Sequence, residues 1–207
     1  MRGGFAGWTG DFQAFFLGLQ GDNSKSYFDA HRRAYEDEVK GPMVALLADL
    51  EPEFGAARLA RPNRDVRFSA NRDPYKTNIY ATASRGGYVA LDAAGLMAAG
   101  GRYQVDAPQL ARFREAVGAE GSGQRLAAIL GRLRRQGYEL GGQELKRVPP
   151  PHGQDHPRAD LLRHKRLIYW RRWEIGPWIA TPEPRRRVAR AWRDGRELEA
   201  WLAEHLD

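Results

Sequence analysis

Residues Asn78 to Arg102 read "NIYATASRGGYVALDAAGLMAAGGR", and the rhythm of this stretch decides the fold. Three short runs rich in β-branched, aromatic and small apolar residues, "NIYATAS", "GYVALDA" and "LMAAGGR", are separated by "RGG" and "DAAG". Glycine and aspartate at that spacing suit tight turns, so consecutive runs are expected to pair as antiparallel strands. "DVRFS" (residues 65–69) is read as one more strand ahead of them. In an extended segment side chains alternate, which would send Val66 and Phe68 to the core and Asp65 and Arg67 to the other face.

Toward the N-terminus the period changes to that of helices. Thr9 is expected to cap a helix in which Phe12, Phe15, Phe16 and Leu19 recur at helical spacing and which Gly21 ends. A second helix is expected from about Ser24, with Tyr27, Phe28, His31, Tyr35 and Val39 on its apolar side. Pro42 suits the first turn of a third, continued by Met43, Leu46, Leu47 and Leu50.

Toward the C-terminus, Asp106 marks the start of a helix over "APQLARFREAV". Ser122 is expected to open another, carrying Leu126, Ile129, Leu130 and Leu133. "GYEL" reads as a short strand and "RLIYWRRWEI" as a longer one. Between them the prolines of "KRVPPPHGQDHPRADLL" deny backbone hydrogen bonds and predict a long loop. Thr181 and Pro182 precede a closing helical region containing Val188, Trp192, Leu198, Trp201 and Leu202. The expected fold is α+β: one domain over residues 1–207, with a largely antiparallel sheet of five or six strands packed on helices from both ends of the chain.

Composition narrows the chemistry. A chain of 207 residues, 42% hydrophobic and with six Trp, is large enough to bury a core. Having no cysteine, it has no disulfides, thiolate metal sites or Cys nucleophile. No apolar run approaches the ~20 residues that span a bilayer, and the N-terminus lacks a secretory pattern, so a cytoplasmic location and no membrane partner are expected. Net charge is +7, and the stretch from Arg132 to Arg172 alone holds eleven basic residues against four acids. Such a field favours anionic partners.

The densest mixture of charge is "RPNRDVRFSANRDPYKTNIY" (residues 61–80). Arginine forks donate paired hydrogen bonds to phosphate or carboxylate, which makes Arg61, Arg64, Arg67 and Arg72 candidate anion ligands. Lys76 would add a point charge, the Tyr75 hydroxyl a donor, and Asp65 would organise the arginines. Arg61, Arg64 and Arg72 converge only if the turn at "SANRDP" folds back. The plainer alternative is a structural network in which Asp65 and Asp73 neutralise Arg67 and Arg72.

The spacing of Arg61, Arg64, Asp65, Arg67, Phe68, Asn71 and Tyr75 resembles the R-x-x-R-D-x-R-F signature, followed by Asp or Asn and then Tyr, of a bacterial and fungal family called domain of unknown function 2461. The opening "FQAFFLGLQGDNSKSYFDAHRRAYEDEV", the "GGYVAL" strand and "LKRVPPPHGQDHPRADLLRHK" are similar to that family's other blocks. Arg72 stands where the family's pattern has lysine, which keeps the charge but not an amine that can lose its proton. The resemblance implies that the signature and the later block meet, so that Arg163 and Lys165 would wall a pocket floored by the Arg61 to Lys76 segment. It implies no reaction.

Other readings compete. His152, Asp155 and His156, with Asp160 and His164 nearby, are residue types that ligate zinc or manganese and would support a metal-dependent hydrolase. Alternatively His156 caps a helix on which Asp160 and His164 pair at i,i+4. "HKRLIYWRRW" is a candidate surface for stacking bases and holding phosphates, making a nucleic-acid-binding module of the basic 132–172 region; the alternative is ordinary two-sided burial of a strand. No nucleophile elbow, phosphate loop or dinucleotide motif is present, so neither catalysis nor a cofactor is assigned. The leading expectation is an anionic small molecule bound in an arginine-rich pocket.

Overall fold

The computed structural model describes residues 4–65, 67 and 72–207. The fold is α+β, with one antiparallel sheet of six strands in the order β1-β2-β3-β4-β6-β5. By its contacts the chain groups into two compact units, Met1–Ala98 with Arg172–Arg190, and Ala99–Arg171 with Ala191–Asp207.

The first unit opens with helix α1 (Phe12–Gly21), which buries Phe12, Phe15, Phe16 and Leu19 as its period requires. Asp11, not Thr9, is its N-cap, and no side chain of its own caps the helix. The Asp11 N–H donates instead to the Glu38 carboxylate at 2.5 Å, a long-range substitute that no local motif announces. Ser24 caps α2 (Lys25–Ala30) by accepting the Tyr27 N–H at 3.1 Å. The chain continues through α3 (Arg32–Ala34) and a π-helical segment, Tyr35–Lys40, into α4 (Gly41–Phe54), with Pro42 in the first turn of α4.

A π segment turns the helix slightly more slowly than an α-helix. Here it keeps Tyr35 and Val39 both buried, and the Val39 carbonyl accepts from the Trp8 indole at 3.3 Å. Phe15 is the hub of an aromatic cluster, its ring centroid 5.5, 5.9 and 5.6 Å from those of Phe16, Phe28 and Tyr35.

Strand β1 (Ala57–Leu59), which the sequence pattern does not announce, pairs antiparallel with β2 (Asn78–Ala83). β2 pairs in turn with β3 (Tyr88–Asp92) across the "RGG" turn, and β4 (Gly95–Arg102) follows after Ala93 and Ala94. Asp92 shapes that second turn, its Oδ1 accepting Ala94 N–H at 2.8 Å and Gly95 N–H at 3.0 Å. "DVRFS" is corrected in part. Asp65 lies outside any strand and Arg67 sits in a turn, while Val66, Phe68 and Ser69 lie outside the described residues.

The second unit holds α5 (Ala107–Gly118), α6 (Glu120–Arg135), β5 (Glu139–Gln143), α7 (Ala159–Leu162), most of β6 (His164–Glu174) and α9 (Arg196–Leu206). Helix α8 (Glu183–Asp194) begins in the first unit and ends in the second. Asp106 forms a full capping box with Gln109. Ser122 does not open α6, which starts at Glu120; its hydroxyl donates to the Ala116 carbonyl.

Trp201 ties α9 down, its indole donating to Ser122 O at 3.1 Å and its ring edge meeting Phe113 at 6.0 Å. Tyr169 of β6 is fully buried and donates to Ala191 O at 3.3 Å. Gly101, at φ +100, is obligatory: a Cβ there would lie 2.2 Å from the Leu167 carbonyl oxygen.

Candidate functional site

The segment that carries the signature folds back on itself, as convergence of its cations requires. Arg64 N–H donates to Pro74 O at 2.8 Å and Lys76 N–H to Pro62 O at 2.9 Å, with Asn63 and Tyr75 forming an antiparallel bridge. Two prolines thus accept where they have no N–H to offer. The result is a short ribbon of residues 61–64 and 74–76, with described ends and a tip that lies partly outside the described residues.

Tyr75 anchors the ribbon to the N-terminal helices. Its ring is buried and stacks on Phe28, with centroids 4.2 Å apart and planes 3° from parallel. Asn23 clamps its backbone on both sides, accepting the Tyr75 N–H at 2.9 Å and donating to the Tyr75 carbonyl at 3.2 Å. The phenol lies within electrostatic reach of Lys25 and Arg32, so its place is against α2. Tyr75 is a structural pin, a role that the sequence reading did not give it. Asn23 was missed altogether; its only signal was its place next to the Ser24 cap.

On the ribbon's other side, the Lys76 amine donates to Arg61 O at 2.6 Å and Asn63 O at 2.7 Å. The Tyr80 ring lies 5.5 Å from that nitrogen. Partial burial, then the charges of Arg61 and Arg64, hold the Lys76 pKa below its ordinary value. Two like charges beside a third disfavour its protonated form. Arg61, Arg64 and Lys76 are therefore brought together.

Asp65 and Arg67 form the expected pair, with Arg67 Nε and one terminal nitrogen on the two carboxylate oxygens at 3.0 and 2.7 Å. Both side chains are well exposed, so this is a surface fork and not a buried lock. The Arg67 hydrogen bonds, with a lesser contribution from Arg61, hold the Asp65 pKa below its ordinary value. Arg72 is exposed. Among the described residues, no carboxylate is paired with the side chains of Arg61, Arg64 or Lys76.

Arg163 and Lys165 belong to the second unit. Lys165 is exposed at the head of β6, where with Arg102, Arg166 and Leu167 it borders a recess too small to hold more than a water-sized group. The Nε of Arg163 is buried without a hydrogen-bond partner among the described residues.

Within the second unit, many basic side chains are taken up by the fold. Arg158 donates to Val117 O, Gly118 O and Ala119 O at 2.7, 2.9 and 3.2 Å, closing the C-terminus of α5. Arg132 pairs with Glu197, Arg166 with Glu144, and Arg171 donates to Gln136 O. The aromatic residues of β6 are occupied too, with Tyr169 buried and Trp170 covering Gly141.

The histidine-rich loop is arranged locally. His152 lies against Gly118, and its ring meets that of His156 edge-on at 5.4 Å. His156 Nδ1 accepts the Arg158 N–H at 3.0 Å just before α7, but Arg158 is that helix's N-cap and no side chain caps it, so His156 is not the cap the sequence suggests. Asp160 and His164 do not form a side-chain pair on one helix, because α7 ends at Leu162; His164 Nδ1 instead bonds the Asp160 carbonyl at 3.0 Å. Among the described residues, no three His, Asp or Glu side chains converge as a metal would need. Among the same residues, no helix is long and apolar enough to cross a membrane.

An α+β chain with this sheet order and an arginine-bearing ribbon pinned by an aromatic stack defines the class. A family model described as a conserved hypothetical protein, DUF2461 (domain of unknown function 2461), matches residues 11–201, and the chain belongs to that family. A comparison with curated proteins found no match.

Proposed function

We propose that the ribbon of residues 61–64 and 74–76 binds the phosphate or carboxylate group of a small molecule, with Arg61 and Arg64 as its ligands. The observation that carries this reading is a pair of guanidinium groups that form no ion pair with a carboxylate among the described residues, on a backbone pinned by the Arg64–Pro74, Lys76–Pro62 and Asn23–Tyr75 hydrogen bonds. A backbone already held in place spares part of the ordering cost of binding, and guanidinium forks match both anions. Asp65, which is next to Arg64 in the chain, is engaged by Arg67. Lys76 fixes the ribbon by holding the carbonyls of Arg61 and Asn63 together.

Thermal unfolding in the presence of phosphate, phosphorylated metabolites and carboxylates tests this. A ligand that binds only the folded chain raises the melting temperature with concentration. The wild type is expected to respond, and the Arg61→Ala/Arg64→Ala double variant to lose the response while melting normally. A wild type that no anion stabilises, or a double variant that responds equally, overturns the proposal.

A further inference from the structure

We infer that the small anion held by Arg61 and Arg64 carries a flat aromatic ring, and that this ring lies on the side of the sheet that bears Tyr80 and Tyr88. This rests on the anion site proposed above and names its ligand class, an aromatic ring joined to a phosphate or a carboxylate.

The ribbon and the sheet meet at Tyr80. Ala60 N–H donates to Tyr80 O at 2.9 Å and Arg61 is the next residue, so the arginine-bearing ribbon leaves the sheet beside Tyr80. At the ribbon's other end the Lys76 amine, which donates to Arg61 O at 2.6 Å, lies 5.5 Å from the centre of the Tyr80 ring. Cations and ring therefore share one neighbourhood, and every residue of it belongs to the first unit.

The sheet has two unlike faces here. Ile79 and Ala81 of β2, with Leu91 and Val89 opposite them on β3, are buried. Alternation turns Tyr80 and Thr82 the other way, and residues directly opposite one another share a face. The register sets Arg58 of β1 and Tyr88 of β3 on either side of Thr82, and the small Ala90 opposite Tyr80. The two tyrosine rings meet diagonally, with centroids 5.3 Å apart and planes 31° from parallel. Arg58 and Thr82 are exposed and both tyrosines are half-buried. Arg58 forms no ion pair with a carboxylate among the described residues, which adds a cation to this face. Aromatic rings beside arginines suit a ligand that is flat and apolar at one end and negatively charged at the other.

Calorimetric titration of the intact chain tests this. The ring-bearing probes are adenosine monophosphate and para-hydroxybenzoate, and their ring-free counterparts are ribose 5-phosphate and acetate. At least one ring-bearing probe is expected to bind about tenfold or more tightly than its counterpart, as one aromatic stacking contact would give. Which pair shows the gain separates a phosphate-borne ring from a carboxylate-borne one. Tyr80→Leu, which keeps apolar cover on the sheet, is expected to lose the gain and to bind the ring-free probe as the wild type does. Tyr80→Phe, which keeps the ring, is expected to retain it.

Equal binding of ring-bearing and ring-free probes by the wild type overturns the inference and leaves the anion site standing, and this comparison needs no variant. A Tyr80→Leu variant that melts normally and keeps the gain also overturns it. A wild type that binds none of the four probes overturns the anion site and the ligand class together. A single-stranded oligonucleotide that binds far more tightly than adenosine monophosphate, with affinity falling steeply as salt rises, overturns the small-molecule class.

Discussion

Asn23 holds Tyr75 by both its backbone polar groups, accepting the N–H at 2.9 Å and donating to the carbonyl at 3.2 Å, across 52 residues of chain. With the Phe28–Tyr75 stack, this is how the N-terminal helices set the position of the arginine-bearing ribbon.

Asn23→Ala leaves two part-buried backbone groups without a partner. A loss of about 1–3 kcal/mol is expected from urea unfolding, with faster proteolysis between Arg61 and Lys76 in the variant. Unchanged stability and cleavage would mean that the aromatic stack alone holds the ribbon.

Arg67→Ala removes an exposed fork to Asp65, and exposed ion pairs contribute little to stability. The variant is expected to fold and melt close to the wild type. Unfolding of the variant would instead favour a structural network for the whole cluster.

Arg158→Ala strips three carbonyls at the end of α5 of a charged donor. A loss on the order of 2 kcal/mol is expected by chemical denaturation. A change in nucleic-acid affinity with stability intact would revive a binding role for the basic region.

Half-buried Glu199 and buried His164 give opposite pH slopes. Burial is the main influence holding the Glu199 pKa above its ordinary 4.5, with its Oε1 accepting the Gly101 N–H at 2.5 Å. The folded state then binds the proton more tightly than the unfolded chain, so stability falls as pH rises from 4.5 through the raised value. Glu199→Gln is expected to remove that fall. For His164, burial lowers the pKa from 6.5, so the unfolded chain binds the proton more tightly and stability is lost as pH falls below 6.5. Melting temperatures across this range, for the wild type, Glu199→Gln and His164→Gln, check both signs.

Gly101→Ala combines a left-handed φ with a 2.2 Å clash against a backbone oxygen that cannot rotate away. A cost of roughly 1–3 kcal/mol or more is expected, measured as a lower urea midpoint.

Much of the fold was legible because its signals are local. The helical period of Phe12 to Leu19, the Asp106 capping box and the hairpin around "RGG" each depend on residues a few places apart. Where the reading missed, the deciding partner was distant. Glu38 and not Thr9 receives the first amide of α1, and β1 exists because Ala57–Leu59 finds the edge of β2. The arginine cluster was legible as composition, but its division was not: Arg67 goes to Asp65, whereas Arg61 and Arg64 gather at Lys76.

By itself the sequence determined the class of fold, the family and the residue types able to meet an anion, since period, caps and motif spacing are properties of neighbouring positions. Only the tertiary structure decided which of those residues keep their charge unmatched and which are consumed, because a hydrogen bond depends on separation in space. That is why Tyr75 proved a buried pin, Arg158 a helix closure and Lys76 an amine seated on two carbonyls.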